Sequence, residues 1–246
     1  MNEVIKVIKN HRSIRNYLDK QVSEEIINIL IEVAQSAPSS INGQHTSVIV
    51  IRDKEKKAKI AELAGGQPWI GTAPVFFTFV GDFYKAKIAA EKVGKNLIIP
   101  ESVEGILVMA VDIGLAMQNV ITAAESLGLG IVPIGGIRNN PDEMIKILNL
   151  PEYTYPIVGL AIGYPADCSE KKPRMPKEAF RHDEIYDKEK LPKLIDEYDD
   201  ILRDYLKRIG RAEEINWSEQ TMKFYQYNYF PKVYPTMKMQ RFNNDK

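Results

Sequence analysis

The sequence is short of the residues that metal and disulfide chemistry require. It holds one cysteine, Cys168, and three histidines, His11, His45 and His182. A lone thiol excludes an intramolecular disulfide and a cysteine-rich zinc site, and it suits a reducing compartment. The histidines fall in separate segments without HExxH spacing, so no metal site is expected. Excess charge is lacking too. The 33 Lys and Arg balance 33 Asp and Glu, a formal net charge of +0, which removes the basic footprint of a nucleic-acid binder. The most apolar run, from Gly105 to Met117, is interrupted by Asp112 and is too short to span a bilayer. The opening MNEVIKVIKNHRSIR has none of the apolar core of a signal peptide. Neither a GxSxG elbow nor a GxxxxGK(S/T) phosphate loop occurs. These absences leave the expectation of a cytoplasmic protein with no nucleic-acid and no membrane partner.

What is present is ordinary material for a folded chain. Of 246 residues, 44% are hydrophobic and 27% charged, enough for a sizeable core in one large domain or two small ones. Val4, Ile5 and Ile8 suggest a short helix that stops near His11. Ser23, with Glu24 and Glu25 behind it, opens a second helix whose Ile27, Leu30, Ile31 and Ala34 recur at helical spacing. Strands are predicted over Ser47–Ile51, Pro74–Val80, Gly130–Ile137 and Tyr155–Ile162, and a charged helix from Asp53 to about Leu63. The stretch from Ser102 to Leu127 reads as a helix apolar around most of its circumference, to be buried in a domain centre or a subunit interface. Asn140-Pro141-Asp142-Glu143 starts another helix with an N-cap, a first-turn proline and a capping-box acid. Gly128-Leu129-Gly130 follows a helix and lacks a third glycine, so it reads as a helix end rather than a dinucleotide fingerprint. Strands and helices mix without strict βαβ alternation, which gives an α+β class. The character changes at Asp187. Residues 1–186 form the expected core domain, and 187–246 a helical extension with helices over 188–209 and 217–226. Its tail carries Tyr225, Tyr227, Tyr229, Phe230, Tyr234 and Phe242, which are expected to wrap over the core or a partner subunit.

Five short motifs hold the binding chemistry. His11-Arg12-Ser13-Ile14-Arg15 packs two guanidinium groups, an imidazole and a hydroxyl into five residues, a donor array for a phosphate or a polar turn after a helix. Pro38-Ser39-Ser40-Ile41-Asn42 supplies short donors and acceptors, as ligand groups or as Asx and Ser turns. Gly65-Gly66-Gln67 allows close backbone approach beside an amide that both donates and accepts. Pro133-Ile134-Gly135-Gly136 ends a strand on bare amides, and Lys172-Pro173-Arg174 adds two cations that otherwise serve as loop solubilisers.

Their order and wording, HRSIR, APSS, GGQ, AAESLGLG, IGGIRNNP and GYPAD followed by KPR, closely resemble the flavin-dependent nitroreductases over roughly residues 1–220. The nearest branch is the oxygen-insensitive NADPH nitroreductase and flavin reductase group. The resemblance implies a central mixed, mainly antiparallel sheet flanked by helices. It also implies an intertwined homodimer, with FMN at two sites between the subunits. By motif, it implies that His11, Arg12, Lys172 and Arg174 surround the FMN phosphate, with Ser13 at the ribityl chain. Arg15 would lie by the N1–C2=O edge and Gln67 by the pyrimidine ring. Ser39, Ser40 and Asn42 would come from the other subunit, and Ile134, Gly135 and Gly136 would border the ring near N5. No side chain is assigned an acid or base role.

The implied activity is ping-pong transfer of hydride from NADPH or NADH through flavin N5 to a small electron-poor acceptor such as a nitroaromatic, a quinone or a flavin. Relatives carry a basic loop before the WS dipeptide that is thought to hold the NADPH 2′-phosphate. Here Arg208 and Arg211 remain, but Glu213 and Glu214 stand where a second basic pair is expected, which predicts a weakened NADPH preference. The alternatives are a flavin-binding redox sensor without turnover and an unrelated anion-binding domain.

Overall fold

Local sequence determines where the chain bends. In this computed structural model, residues 1–211 and 215–243 are described. Helices α1 (Glu3–Lys9) and α2 (Glu24–Gln35) precede strand β1 (Thr46–Ile51), and the Ser23 hydroxyl caps α2 by accepting from the Ile26 N–H. Then come α3 (Lys54–Leu63), α4 (Pro68–Thr72), β2 (Val75–Asp82), α5 (Tyr84–Val93) and the 24-residue α6 (Val103–Ser126). Gly128, at φ +77°, turns the chain out of α6 into β3 (Gly130–Ile134). Next are α7 (Pro141–Ile147), β4 (Thr154–Gly163), α8 (Lys177–Phe180), α9 (Leu191–Arg208), α10 (Trp217–Tyr225) and α11 (Val233–Met239).

The chain divides into two compact units, residues 1–169 with 230–246, and residues 170–229. In the first, the four strands form one antiparallel sheet in the order β1-β2-β4-β3. Its parallel component is the single bridge from Ser13 to Ile131. Side chains alternate across the sheet. Phe77, Phe79, Leu160 and Ile131 pack with α2 and α6 on one face. Phe76, Ala161, Val132 and Ile134 pack with Ile60, Ala64, Ile70 and Met144 of the α3, α4 and α7 side on the other. In the second unit, α9 buries Tyr198, Leu202 and Leu206 at four-residue spacing, and the Trp217 ring meets Tyr198 edge-on at 6.1 Å.

Three expectations change. The strand predicted to run to Ile137 ends at Ile134, because Gly135–Arg138 coils into a 3-10 turn. Asn140 does not cap α7 with its side chain. Its amide donates to the Leu63 carbonyl at 2.9 Å and its oxygen accepts from Lys232 at 2.7 Å. Helix α6 is not buried all round in the single chain. Val103, Leu107, Val111 and Leu115 form an exposed stripe at i,i+4 spacing. By length and composition alone, α6 could cross a bilayer. Its Met109, Ile113, Ala116 and Val120 instead belong to the protein core against the sheet.

Candidate functional site

The HRSIR segment runs along the free edge of β3. The Ile14 N–H donates to the Ile131 carbonyl at 2.9 Å, and Tyr17, bridged to Pro165, fixes the far end. A side chain on Gly130 would collide with Ile14, 2.6 Å from its Cγ1. The segment is therefore tied along the sheet edge by single bridges at Ser13 and Tyr17 rather than by a full strand. His11 Nδ1 pairs with Glu125 Oε1 at 2.6 Å. Arg12 donates to Asn10 Oδ1 at 2.5 Å and to Cys168 Sγ at 2.7 Å. Beside them lies a cleft of about 340 Å³, lined by Arg12, Ile14, Glu125, Gly128, Asp167 and Cys168.

Arg15 points the other way, its guanidinium 5.5 Å from the centre of the Trp69 ring, a cation–π stack. Trp69 sits in α4, whose N-cap is Gln67. The Gln67 amide donates to the Ala64 carbonyl at 2.9 Å. It also lies against Gly136, where a Cβ would come within 2.4 Å of Gln67 Nε2. Gly65 and Gly66, at φ +88° and +75°, make the reversal from α3 that places Gln67 there. Arg15, Gln67, Ile134, Gly135 and Gly136 thus gather on the α3–α4–α7 side of the sheet, with His11, Arg12 and Ser13 leading away along its edge.

Ser39, Ser40 and Asn42 lie elsewhere. Their loop sits on the α2–α6 side, where the Ser40 N–H donates to Asp112 Oδ2 at 3.0 Å. Ser39 Oγ accepts from the Gln44 N–H at 2.9 Å. Lys172 and Arg174 belong to the second unit, exposed, with Arg174 folded back on the Lys172 carbonyl at 3.3 Å. Tyr198 donates to the Pro173 carbonyl at 2.9 Å; burial raises its phenol above the ordinary range, and nearby Arg174 opposes that rise. Arg208 forms an ion pair with Glu170 at 3.1 Å. Arg211 closes the α9 end through its N–H to the Leu206 carbonyl. Glu213 and Glu214 lie outside the described residues.

The first unit fits the phosphorylated flavin that the sequence resemblance implies. A guanidinium is set against an indole, an amide adjoins a glycine with no room for a methyl, and a hydroxyl, a second guanidinium and an imidazole follow in line. Among the described residues no cluster of three metal-ligating side chains occurs.

Comparison with known proteins decides the family. A model described as Nitroreductase family matches residues 8–164, and one described as Nitroreductase family, C-terminal domain, matches residues 172–245. The chain belongs to the nitroreductase family. It is 49% identical, over 100% of both chains, to the Bacillus subtilis (strain 168) protein named FMN reductase (NAD(P)H). The structure of B. megaterium NfrA2 superposes with a TM-score of 0.97 at 48% identity, covering 100% of both chains. The NADPH:FMN oxidoreductase from Vibrio harveyi, complexed with NAD+, gives a TM-score of 0.90 at 28% identity, again over 100% of both. The nitroreductase-family likeness therefore reaches through the aromatic tail, beyond the residues 1–220 legible from motifs.

Sequence reasoning missed three neighbours of this nitroreductase-family site. Trp69 follows the Gly65-Gly66-Gln67 motif by two residues and Glu125 lies within AAESLGLG, but nothing in the sequence marks the one as the partner of Arg15 or the other as the partner of His11, 114 residues away. Asp112 did leave a signal, as the one acid inside the Gly105–Met117 run.

Proposed function

We propose that this chain is an FMN-dependent NAD(P)H oxidoreductase that works by a ping-pong cycle on small electron-poor acceptors, nitroaromatics, quinones and flavins among them. The observation that carries this reading is the convergence of Arg15 on Trp69 and of Gln67 on Gly136 beside the HRSIR segment. When bound, FMN supplies the two-electron chemistry, taking hydride from the nicotinamide and passing it to the acceptor. The protein's part is binding and electrostatics. Arg15, stacked on Trp69, would hold a positive charge at the pyrimidine edge, where reduction adds negative charge, and a charge already in place would need little rearrangement at that moment. The first N–H groups of the Gly135–Arg138 turn have no partner within the turn and would be the donors offered to an acceptor atom on the ring. The small residues there leave one flavin face open for nicotinamide and acceptor in alternation.

Two halves of this site lie on opposite faces of one sheet, so a single chain does not close it. A homodimer in which Ser39, Ser40 and Asn42 of one copy reach the flavin of the other accounts for that, and for the bare stripe on α6. The exposed thiol of Cys168 suits a reducing cytoplasm.

The decisive test is optical. Purified protein is expected to be yellow, to bleach with NADPH or NADH under argon, and to recolour with a nitroarene or quinone. Yellow protein that does not bleach favours the redox sensor, and colourless protein with no affinity for added FMN removes the reading altogether. For the donor, the ion pair of Arg208 with Glu170 occupies a cation otherwise free for a 2′-phosphate. Steady-state kcat/KM for NADPH over NADH is expected to stay below about one hundred, roughly 2.8 kcal/mol of discrimination.

A further inference from the structure

The Ser39–Gln44 loop holds an unfavourable shape. Three of its residues, Ile41, Asn42 and Gln44, have positive φ of 49°, 56° and 49°, none of them glycine, and Ile41 is 97% exposed. Side-chain packing beside the loop is interrupted by a cavity of about 260 Å³, lined in part by Ser39, Gln44, Asp112 and Ala116. What remains is polar and comes from the core. Asp112, 6% exposed on the sheet-facing side of α6, accepts the Ser40 N–H. His45, 4% exposed, brings Nε2 to 3.0 Å from the same carboxylate oxygen without lining up an N–H···O bond. Its ring stacks on Phe83 at 5.2 Å, and a Cβ on Gly43 would come within 3.1 Å of its Nδ1. The loop is therefore folded over a buried carboxylate–imidazole pair.

We propose that Asp112 is a positioning residue, buttressed by His45, that fixes the Ser39–Asn42 loop in the form that meets the flavin. This rests on the reading of Ser39, Ser40 and Asn42 as flavin ligands. Asp112 does not itself touch the flavin in this scheme. It acts by removing the loop's alternatives, so that binding loses less freedom.

The test uses full-length protein with Asp112→Ala, Asp112→Asn and His45→Phe, the last keeping the stack on Phe83. Amide hydrogen exchange over Ser40–Gln44 is compared with exchange in β2 and β4, and FMN affinity is measured by quenching of flavin fluorescence. Asp112→Ala is expected to speed loop exchange at least tenfold relative to the sheet and to weaken FMN binding at least tenfold. Asp112→Asn, which keeps an oxygen facing Ser40, is expected to recover most of both. If Asp112→Ala does not fold, His45→Phe reads the same device, with an expected threefold or greater loosening of the loop. Loop exchange that stays unchanged, or rises no more than in the sheet, overturns the positioning role. A loop loosened selectively while FMN affinity holds overturns instead the assignment of Ser39, Ser40 and Asn42 to the flavin.

Discussion

Position 136 has no room for a methyl group. An added Cβ would lie 2.4 Å from Gln67 Nε2 and 2.5 Å from the Ala64 carbonyl oxygen. A side-chain amide swings aside easily; a helix-terminal carbonyl does not. Gly136→Ala must therefore displace either the turn after β3 or Gln67 itself, at a cost of about 1–3 kcal/mol for overpacking. The expected outcome is a lower melting temperature together with FMN affinity reduced at least tenfold, read by thermal unfolding and by flavin fluorescence. A variant that melts lower yet binds FMN as before would place the flavin away from this turn. Gly136 and Gln67 were each visible as residue types suited to a ring edge, but their meeting was not, because 69 positions of sequence separate them and no periodicity spans such a gap. Arg15 shows the same limit, since nothing in the sequence marks Trp69 as the surface on which it lies.

At the scale of elements, legibility followed burial. Helix α2 and the four strands announce themselves through apolar periods because each has a face in the core. Helix α5 has no buried residue and no side-chain cap, so its Lys- and Ala-rich sequence carried no period to read. The end of β3 was overrun because Ile134 and Ile137 are both fully buried, and a buried turn has the composition of a strand. The HRSIR segment reads as a donor array, while its attachment to β3 rests on the Ile14 N–H to the Ile131 carbonyl and is braced by Tyr17. Its buried hydroxyl donates to the Ile14 carbonyl at 2.8 Å, with the Ala161 carbonyl 3.3 Å away. Burial raises this phenol well above its ordinary pKa of 10.0, with Arg15 opposing more weakly. The folded state then keeps the proton to higher pH than the unfolded state. Stability from this group is complete below the ordinary tyrosine pKa, begins to fall as pH passes it, and is lost progressively as pH rises towards and through the raised folded-state value. Tyr17→Phe is expected to cost about 1 kcal/mol at neutral pH, through the acceptors left unpaired. It should also flatten the fall in melting temperature between pH 9 and about pH 11. Melts across that range decide the matter, and an unaltered alkaline slope would assign it to other tyrosines, Tyr155 first, which burial also raises.

At the scale of the whole molecule, α6 has two unlike sides. One side of the helix sits in the core, and the other offers Val103, Leu107, Val111 and Leu115, between 40% and 60% exposed, as a continuous apolar stripe. A chain with balanced charge gains nothing by leaving such a surface in water, and a stripe of one helix is self-complementary across a twofold axis. The residues proposed to bind the flavin make the same demand from another direction, since Ser39–Asn42 and the Arg15–Gln67 group occupy opposite faces of the sheet. Association and cofactor binding are then one equilibrium, and each should strengthen the other. Leu107→Glu and Val111→Glu place a carboxylate in the middle of the stripe without touching the core side of α6. Sedimentation is expected to show the wild type as a dimer and the variants as monomers at micromolar concentration, with the FMN released on filtration. Raising variant concentration should restore both together, because mass action acts on the coupled state. A variant that sediments as a monomer and still retains FMN would show that one chain completes the site, and the two-copy arrangement would have to be abandoned.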